Sequence, residues 1–117
     1  MAAPNLLSLT TVTALTAVQN VGTSATAIIT NSASSNKVLK ITALYVSNID
    51  TTNLYKITVD LFRSSTAYPI TYQVEVPSTS TLDVISKNLY LQEGDSLRLT
   101  ADTVNKLVAT CSYEEIS

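Results

Sequence analysis

Apolar and polar residues alternate in one short segment after another of this chain, and Asn, Ser and Asp separate the segments. The clearest segment, residues 54–63, has apolar side chains at every second position: Tyr55, Ile57, Val59 and Leu61. Because successive side chains of a strand point to opposite faces, this period of two predicts a strand with one buried face. Thr, Val, Ile and Tyr also fit a pleated, half-buried surface. The pattern predicts an all-β protein.

Eight such segments occur in the 117 residues, a length typical of one domain. They span residues 5–21, 24–30, 37–47, 54–63, 68–76, 81–86, 96–101 and 106–115. Many short strands with turn residues between them are typical of a β-sandwich. The chain lacks the Cys-Trp-Cys pattern of antibody domains. We expect a single antiparallel β-sandwich of about eight strands, of jelly-roll or Ig-like type.

The C-terminal stretch, residues 89–115, contains the last two strands. Glu93-Gly94-Asp95 predicts a tight turn before them, since Gly takes positive φ and Asp bonds to its local backbone. We expect the two strands to pair with each other in antiparallel fashion. Their predicted core residues are Leu97, Leu99, Leu107 and Cys111.

Two strands depart from plain alternation. In residues 37–47 the apolar positions change parity between Ile41 and Leu44, which predicts a bulge near Thr42 and Ala43. In residues 68–76, Pro69 lies early in the strand, where the missing backbone donor is tolerated on a sheet edge. We expect the apolar stripe of this second strand to face the core; it consists of Tyr68, Ile70, Tyr72, Val74 and Val76.

The N-terminal segment, residues 1–20, allows two interpretations beside the domain at 21–117. Leu9, Val12 and Leu15 step by three, as in a helix, but the many branched Thr residues favour an extended chain. An extended segment of this length spans about 65 Å and could add a strand to a neighbour's sheet. It could equally be an ordinary first strand. As an arm, its interface residues would be Asn5, Leu6, Leu7, Leu9 and Val12.

The residues needed for common catalytic and metal sites are scarce. The chain has no histidine and one cysteine, Cys111, which excludes Ser-His-Asp and Cys-His catalysis and an intrachain disulfide. Glu93 and Asp95 could be a carboxylate acid–base pair, but turn geometry explains them more simply. The two glycines, Gly22 and Gly94, are isolated and form no phosphate-binding loop. We therefore expect no enzyme activity, no catalytic residues, no cofactor and no bound metal.

Charge and hydropathy exclude two classes of partner. The net charge is −2, and the seven basic residues are scattered along the chain, whereas nucleic-acid binding needs a concentrated positive patch. No run approaches the roughly 20 apolar residues of a membrane span, and the N-terminus lacks the features of a signal peptide. We expect synthesis and folding in a cytoplasm, without binding to nucleic acid or membrane.

Sugar binding remains an alternative, because β-sandwiches often bind carbohydrates and the six tyrosines offer flat apolar rings. Tyr55, Tyr68 and Tyr72 lie in stripes predicted to face the core. Contacts with a sugar would then depend on the remaining tyrosines, Tyr45, Tyr90 and Tyr113.

Several segments resemble small all-β virion proteins of tailed bacteriophages, particularly those that infect marine bacteria such as cyanobacteria. The resemblance covers about residues 28–117 and lies in residues 44–48, 76–82, 90–101 and 111–116. It implies a structural component of the virion, most readily a capsid decoration or cement protein that binds the major capsid protein. Neck, tail and fibre proteins are the alternatives. It also implies synthesis in the host bacterial cytoplasm and a homo-oligomer, a trimer by analogy.

Overall fold

The computed structural model describes residues 11–117, which form nine β-strands and no helix. The strands are β1 (Val12–Asn20), β2 (Thr26–Thr30), β3 (Val38–Asn48), β4 (Tyr55–Arg63), β5 (Thr66–Val76), β6 (Thr81–Asp83), β7 (Leu89–Leu91), β8 (Ser96–Ala101) and β9 (Leu107–Ile116). Nothing in this part of the chain could cross a membrane as a helix.

The strands form two antiparallel sheets, as predicted for a β-sandwich. The first has the order β1-β9-β3-β6, with β7 also paired to β3, and the second has the order β2-β8-β4-β5. The chain passes repeatedly from one sheet to the other, so that strands distant in sequence become neighbours. This order is that of a jelly roll, the first of the two predicted types. Short β6 and β7 share one strand position, which explains why nine strands occur where about eight were expected.

The core lies between the two sheets and is built from the alternating apolar positions of their inner strands. Its largest completely buried side chains come from both sheets: Ile41, Leu44, Ile57, Leu91, Leu97, Leu99 and Leu107. Burial of each such side chain contributes about 1.5–3 kcal/mol. The predicted bulge in β3 is present, since its pairing with β9 shifts between Ile41 and Ala43 and brings Ile41 and Leu44 to the same face.

One predicted pairing is wrong. Strands β8 and β9 bury the expected residues, but they lie in different sheets and do not pair: β8 lies between β2 and β4, and β9 lies between β1 and β3. The connection at residues 102–106 crosses the sandwich instead of forming a hairpin, and Ala101 donates its N–H to Gly22 O rather than to β9. Alternation predicts the buried face of a strand but leaves its partner open.

A second prediction is wrong for β5. Of its apolar stripe only Val76 is buried, whereas Tyr68, Ile70, Tyr72 and Val74 are exposed. The strand is at the edge of its sheet, as Pro69 predicted, and the opposite sheet provides only short β6 and β7 on that side. Little therefore covers Tyr68 and Val74 on the core side of β5, whereas the register shifts between β4 and β5 turn Tyr72 to the outer face.

Residues 12–20 form a regular first strand, one of the two interpretations for the N-terminus. Beyond Val12, Thr11 and Ser117 exchange backbone hydrogen bonds of 3.0 and 2.9 Å, which extends the β1–β9 ladder. Of the predicted interface residues, Asn5, Leu6, Leu7 and Leu9 lie outside the described residues. Val12 is exposed at the start of β1.

Candidate interaction surface

The apolar residues of β5 are exposed on both faces of the strand. Tyr68 pairs with Leu61 of β4, and Val74 pairs with Ile57, so both lie on the core side of the sheet, yet Tyr68 is 54% exposed. Tyr72, at 66% exposure, directly follows Thr71, the partner of Val59, and therefore lies on the outer face. Exposed apolar side chains on an edge strand are a typical mark of an interaction site.

The ladder between β5 and β4 is irregular. It shifts on both sides of Val59, and Gln73 has φ of 49°, a left-handed conformation. The backbone N–H of Gln73 accordingly donates to the Thr58 side chain at 3.1 Å instead of to a strand carbonyl. Bulges increase the local twist of an edge and are one way in which proteins limit edge-to-edge pairing.

β1 is the opposite case, an edge strand without such protection. It pairs with β9 over nine residues without a register shift. Its sequence contains no charge, no Pro and no Gly, and these are residues that normally blunt an exposed edge. Val12, Leu15 and Val18 are exposed, with Val18 at 72%. The second edge of β1 has no partner among residues 11–117.

The two edges lie on opposite sides of the sandwich. β1 contacts β2 across the core, and the Gln19 side chain of β1 donates to Ala27 O of β2 at 3.1 Å. β5 lies at the other end of the second sheet and contacts β3. On each side the sandwich has one long and one short end strand: β1 with nine residues beside β2 with five, and β5 with eleven beside β6 with three.

At one end of the sandwich, Asp50 organises the loop between β3 and β4. Its carboxylate accepts the N–H groups of Thr52 and Asn53 at 2.8 and 3.2 Å and the Tyr55 hydroxyl at 3.0 Å. Lys106 Nζ lies 3.5 Å away. These bonds hold the pKa of Asp50 well below its usual value of 3.8, and the two backbone N–H groups make the largest contribution. The loop is therefore held by a carboxylate that remains ionised in the folded protein.

At the other end, Arg63 and Asp95 form a two-point ion pair, with Nε–Oδ1 and Nη2–Oδ2 distances of 2.8 and 2.6 Å. Burial alone would raise the pKa of Asp95, but the bonds from Arg63 and from the Gln92 N–H lower it further than burial raises it. The same interaction raises the pKa of Arg63. The pair fastens the end of β4 to the turn before β8.

The predicted turn at Glu93-Gly94-Asp95 is confirmed, with Gly94 at φ 87° and Asp95 N–H donating to Gln92 O at 3.0 Å. Glu93 is buried and accepts the Asn36 N–H at 2.9 Å. Both acidic side chains thus hold neighbouring backbone or Arg63 in place, which is the structural role that the sequence favoured over an acid–base pair. Among residues 11–117 no group of three or more Cys, Asp or Glu is arranged to hold a metal ion.

The single cysteine is part of the core. Cys111 on β9 is completely buried, and burial raises the pKa of its thiol to about 12. The thiolate, which is the form that reacts, is therefore rare at neutral pH.

The tyrosines are more exposed than predicted. Tyr68 and Tyr72 are exposed on β5 instead of buried, and Tyr45 and Tyr90 are exposed on the first sheet, as expected. Tyr55 and Tyr113 are partly buried and pack against the core. Tyr68 is exposed because little covers the core side of β5, and Tyr72 because the register shifts turn it to the outer face.

The chain matches no protein-family model, and no curated protein matches it in sequence. Among solved structures it is similar to a protein of the Bacillus endospore appendages, which are described as a family of disulfide-linked pili. The two chains are 11% identical, the alignment covers 98% of this chain and 95% of the other, and the TM-score is 0.55. At this identity the similarity shows a shared β-sandwich fold.

Proposed function

We propose that this protein is a non-enzymatic structural subunit that assembles in many copies. The observation that carries the proposal is the pair of long edge strands, β1 and β5, whose apolar side chains are exposed on opposite sides of the sandwich. Isolated folded proteins rarely expose apolar side chains along two long edge strands, because such surfaces invite another protein surface. In β1, whose edge carries no Pro, Gly or charge, the unpaired backbone also invites another strand. In an assembly, neighbouring subunits cover both edges.

The structural neighbour supports a subunit role by analogy of fold. That protein belongs to pili linked by disulfides. This chain has one cysteine, which is buried in the core, so contacts between its copies would be non-covalent. The ion pairs and buried carboxylates hold loops together, and the sequence contains no histidine.

A finer proposal is a bacteriophage virion protein, most readily a capsid decoration or cement protein that binds the major capsid protein. It rests on the resemblance in residues 44–48, 76–82, 90–101 and 111–116 to virion proteins of tailed phages. A neck, tail or fibre component is the alternative. The protein would be made in the host bacterial cytoplasm and act in the virion as a homo-oligomer, a trimer by analogy.

Sedimentation of the purified full-length chain tests the subunit role. We expect species larger than the 12.5 kDa monomer, with a proportion that rises with protein concentration. A monomer at every concentration would contradict self-assembly.

Mass spectrometry of purified phage particles tests the finer proposal. A decoration protein should be present in a copy number comparable with that of the major capsid protein, whereas a neck or tail component should be far rarer. Absence of the chain from purified particles would overturn the virion assignment and leave the subunit role intact.

Carbohydrate binding, for example in host attachment, is a second candidate because Tyr68 and Tyr72 are exposed on the same strand. Exposed aromatic rings provide the flat apolar contacts that sugars need. A glycan array with the wild type, Tyr68→Ala and Tyr72→Ala tests carbohydrate binding. Binding by the wild type that is lost in both variants supports it, and no binding by the wild type excludes it.

A further inference from the structure

The two exposed edge strands differ in sequence and lie on opposite sides of one molecule. β1 ends the first sheet beside β2, and β5 ends the second sheet beyond β4. A two-fold contact uses the same surface on both partners, so covering both edges by two-fold contacts would need two different interfaces, β1 with β1 and β5 with β5. A head-to-tail contact of β1 with β5 covers both edges with one kind of interface and can repeat.

The two strands are also chemically compatible. Because Pro69 and the two register shifts interrupt the backbone edge of β5, the contact relies on side chains more than on a continuous ladder of backbone hydrogen bonds. β1 has nine residues and no charge, and β5 has eleven residues and only Glu75 as a charged side chain. Burying them together therefore removes at most one charge from water, which avoids the large cost of desolvating unpaired ions. Each contributes apolar side chains to the contact, Val12, Leu15 and Val18 from β1 and Tyr68, Ile70, Tyr72 and Val74 from β5.

We infer that β1 of one copy lies along β5 of the next, so that copies join side by side in a head-to-tail row. The inference rests on the proposed subunit role and specifies its interface. Such a contact generates a closed ring if the rotation between copies closes, and an open filament if it does not. No covalent link is involved, because Cys111 is buried.

Paired cysteine variants test the contact. Val18→Cys on β1 and Tyr72→Cys on β5 place thiols at the most exposed apolar position of each strand, and neither change touches the core. The wild type controls for Cys111, whose raised pKa and burial keep it from reacting with a maleimide cross-linker. Val104→Cys, an exposed position in the loop between β8 and β9, is the matched control for chance collisions.

We expect a short bismaleimide to give a cross-linked dimer when the Val18→Cys and Tyr72→Cys proteins are mixed, and none when either is treated alone. A chain that carries both substitutions should give a ladder, which stops at the ring size or continues for a filament. Mixtures that contain Val104→Cys should give no product above background.

Dimers from either single variant alone would show a two-fold contact and overturn the head-to-tail inference. The absence of cross-links in variants that still sediment as assemblies would also overturn the head-to-tail inference, but the subunit role would stand. If the wild type itself sediments only as a monomer, the subunit role fails as well, so the two failures are distinguishable.

Discussion

β4 and β5 are consecutive, hydrogen-bonded arms of one hairpin, and both carry an alternating apolar stripe. In β4 the stripe is buried, with Ile57 and Val59 completely inaccessible, whereas most of the β5 stripe is exposed. The difference lies in their positions: β4 has neighbours on both sides, β8 and β5, and β5 has only β4. Alternation therefore specifies a strand, while bulges decide which side chains share a face and the place of the strand in the sheet decides whether that face is covered.

β9 and β1 repeat this contrast in the other sheet. β9 lies between β1 and β3 and buries Leu107, Ala109 and Cys111, whereas β1 exposes Val12 and Val18. Interior strands thus provide most of the buried core, and edge strands expose apolar side chains. If subunits assemble through these edges as proposed, mutations should separate the stability of the fold from assembly.

Ile57 and Ile70 offer the largest and most direct test of the contrast, since the same residue type is 0% exposed on β4 and 41% exposed on β5. Ile57→Ala should lower the free energy of unfolding by about 2–5 kcal/mol, because it removes buried methyl groups and leaves a cavity. Ile70→Ala should cost less than about 1 kcal/mol. Urea unfolding measures both, and equal losses would refute the distinction.

The interior strands also hold charged side chains with buried partners, which the edges lack. Arg63→Met leaves the buried Asp95 carboxylate without its two-point partner and should cost about 2 kcal/mol. Lys37→Met is the matched control, since Lys37 and Glu115 are both partly exposed, and it should cost less than about 1 kcal/mol. An Arg63→Met protein as stable as the control would show that the pair does not fasten β4.

Stability should fall in acid because of Asp50 and Asp95. Both pKa values are lowered by folding, so near an unfolded-state pKa of about 3.9 the unfolded chain binds more protons than the folded one. The stabilisation is complete above that value and is lost as pH falls towards the lowered pKa values. The urea midpoint should therefore decrease below about pH 4, and less steeply in Asp50→Asn; an unchanged midpoint would contradict this.

The hairpin turn between β4 and β5 should give the smallest effect. Ser64 and Ser65 have φ of 51° and 60°, a conformation that Gly adopts without steric cost. Ser65→Gly should raise the free energy of unfolding by roughly 0.5–1 kcal/mol. Ser78→Gly, at a position without positive φ, should not raise the free energy of unfolding. Equal effects of the two substitutions would exclude relief of backbone strain as the cause.

The sequence predicted the strands well because each depends on a local period of two. The bulge at Thr42–Ala43, the turn at Gly94 and the edge position of Pro69 were also local and were confirmed. The pairing of β8 and β9 was not, because the partner of a strand depends on which connections cross the sandwich. The exposure of Tyr68 was missed because it depends on the short strands β6 and β7 in the opposite sheet, although Pro69 already indicated an edge. The exposure of Tyr72 was missed because plain alternation does not include the two register shifts that turn it to the outer face.

The buried carboxylates show another limit. The sequence predicted that Asp95 bonds to its local backbone, as it does to the Gln92 N–H, but did not predict its burial or its ion pair. Its partner, Arg63, lies 32 positions away and is brought to it by the fold. Such distant pairs follow from topology, which alternation does not encode.

Sedimentation of edge variants tests the assembly of subunits through β1 and β5 most directly. Val18→Lys and Tyr72→Lys place a charge in the proposed contact, and Val104→Lys places one on an equally accessible loop residue. We expect the wild type and Val104→Lys to form the same large species, and both edge variants to sediment as monomers with the wild-type urea midpoint. Edge variants that assemble like Val104→Lys, or a wild type that remains monomeric, would contradict this.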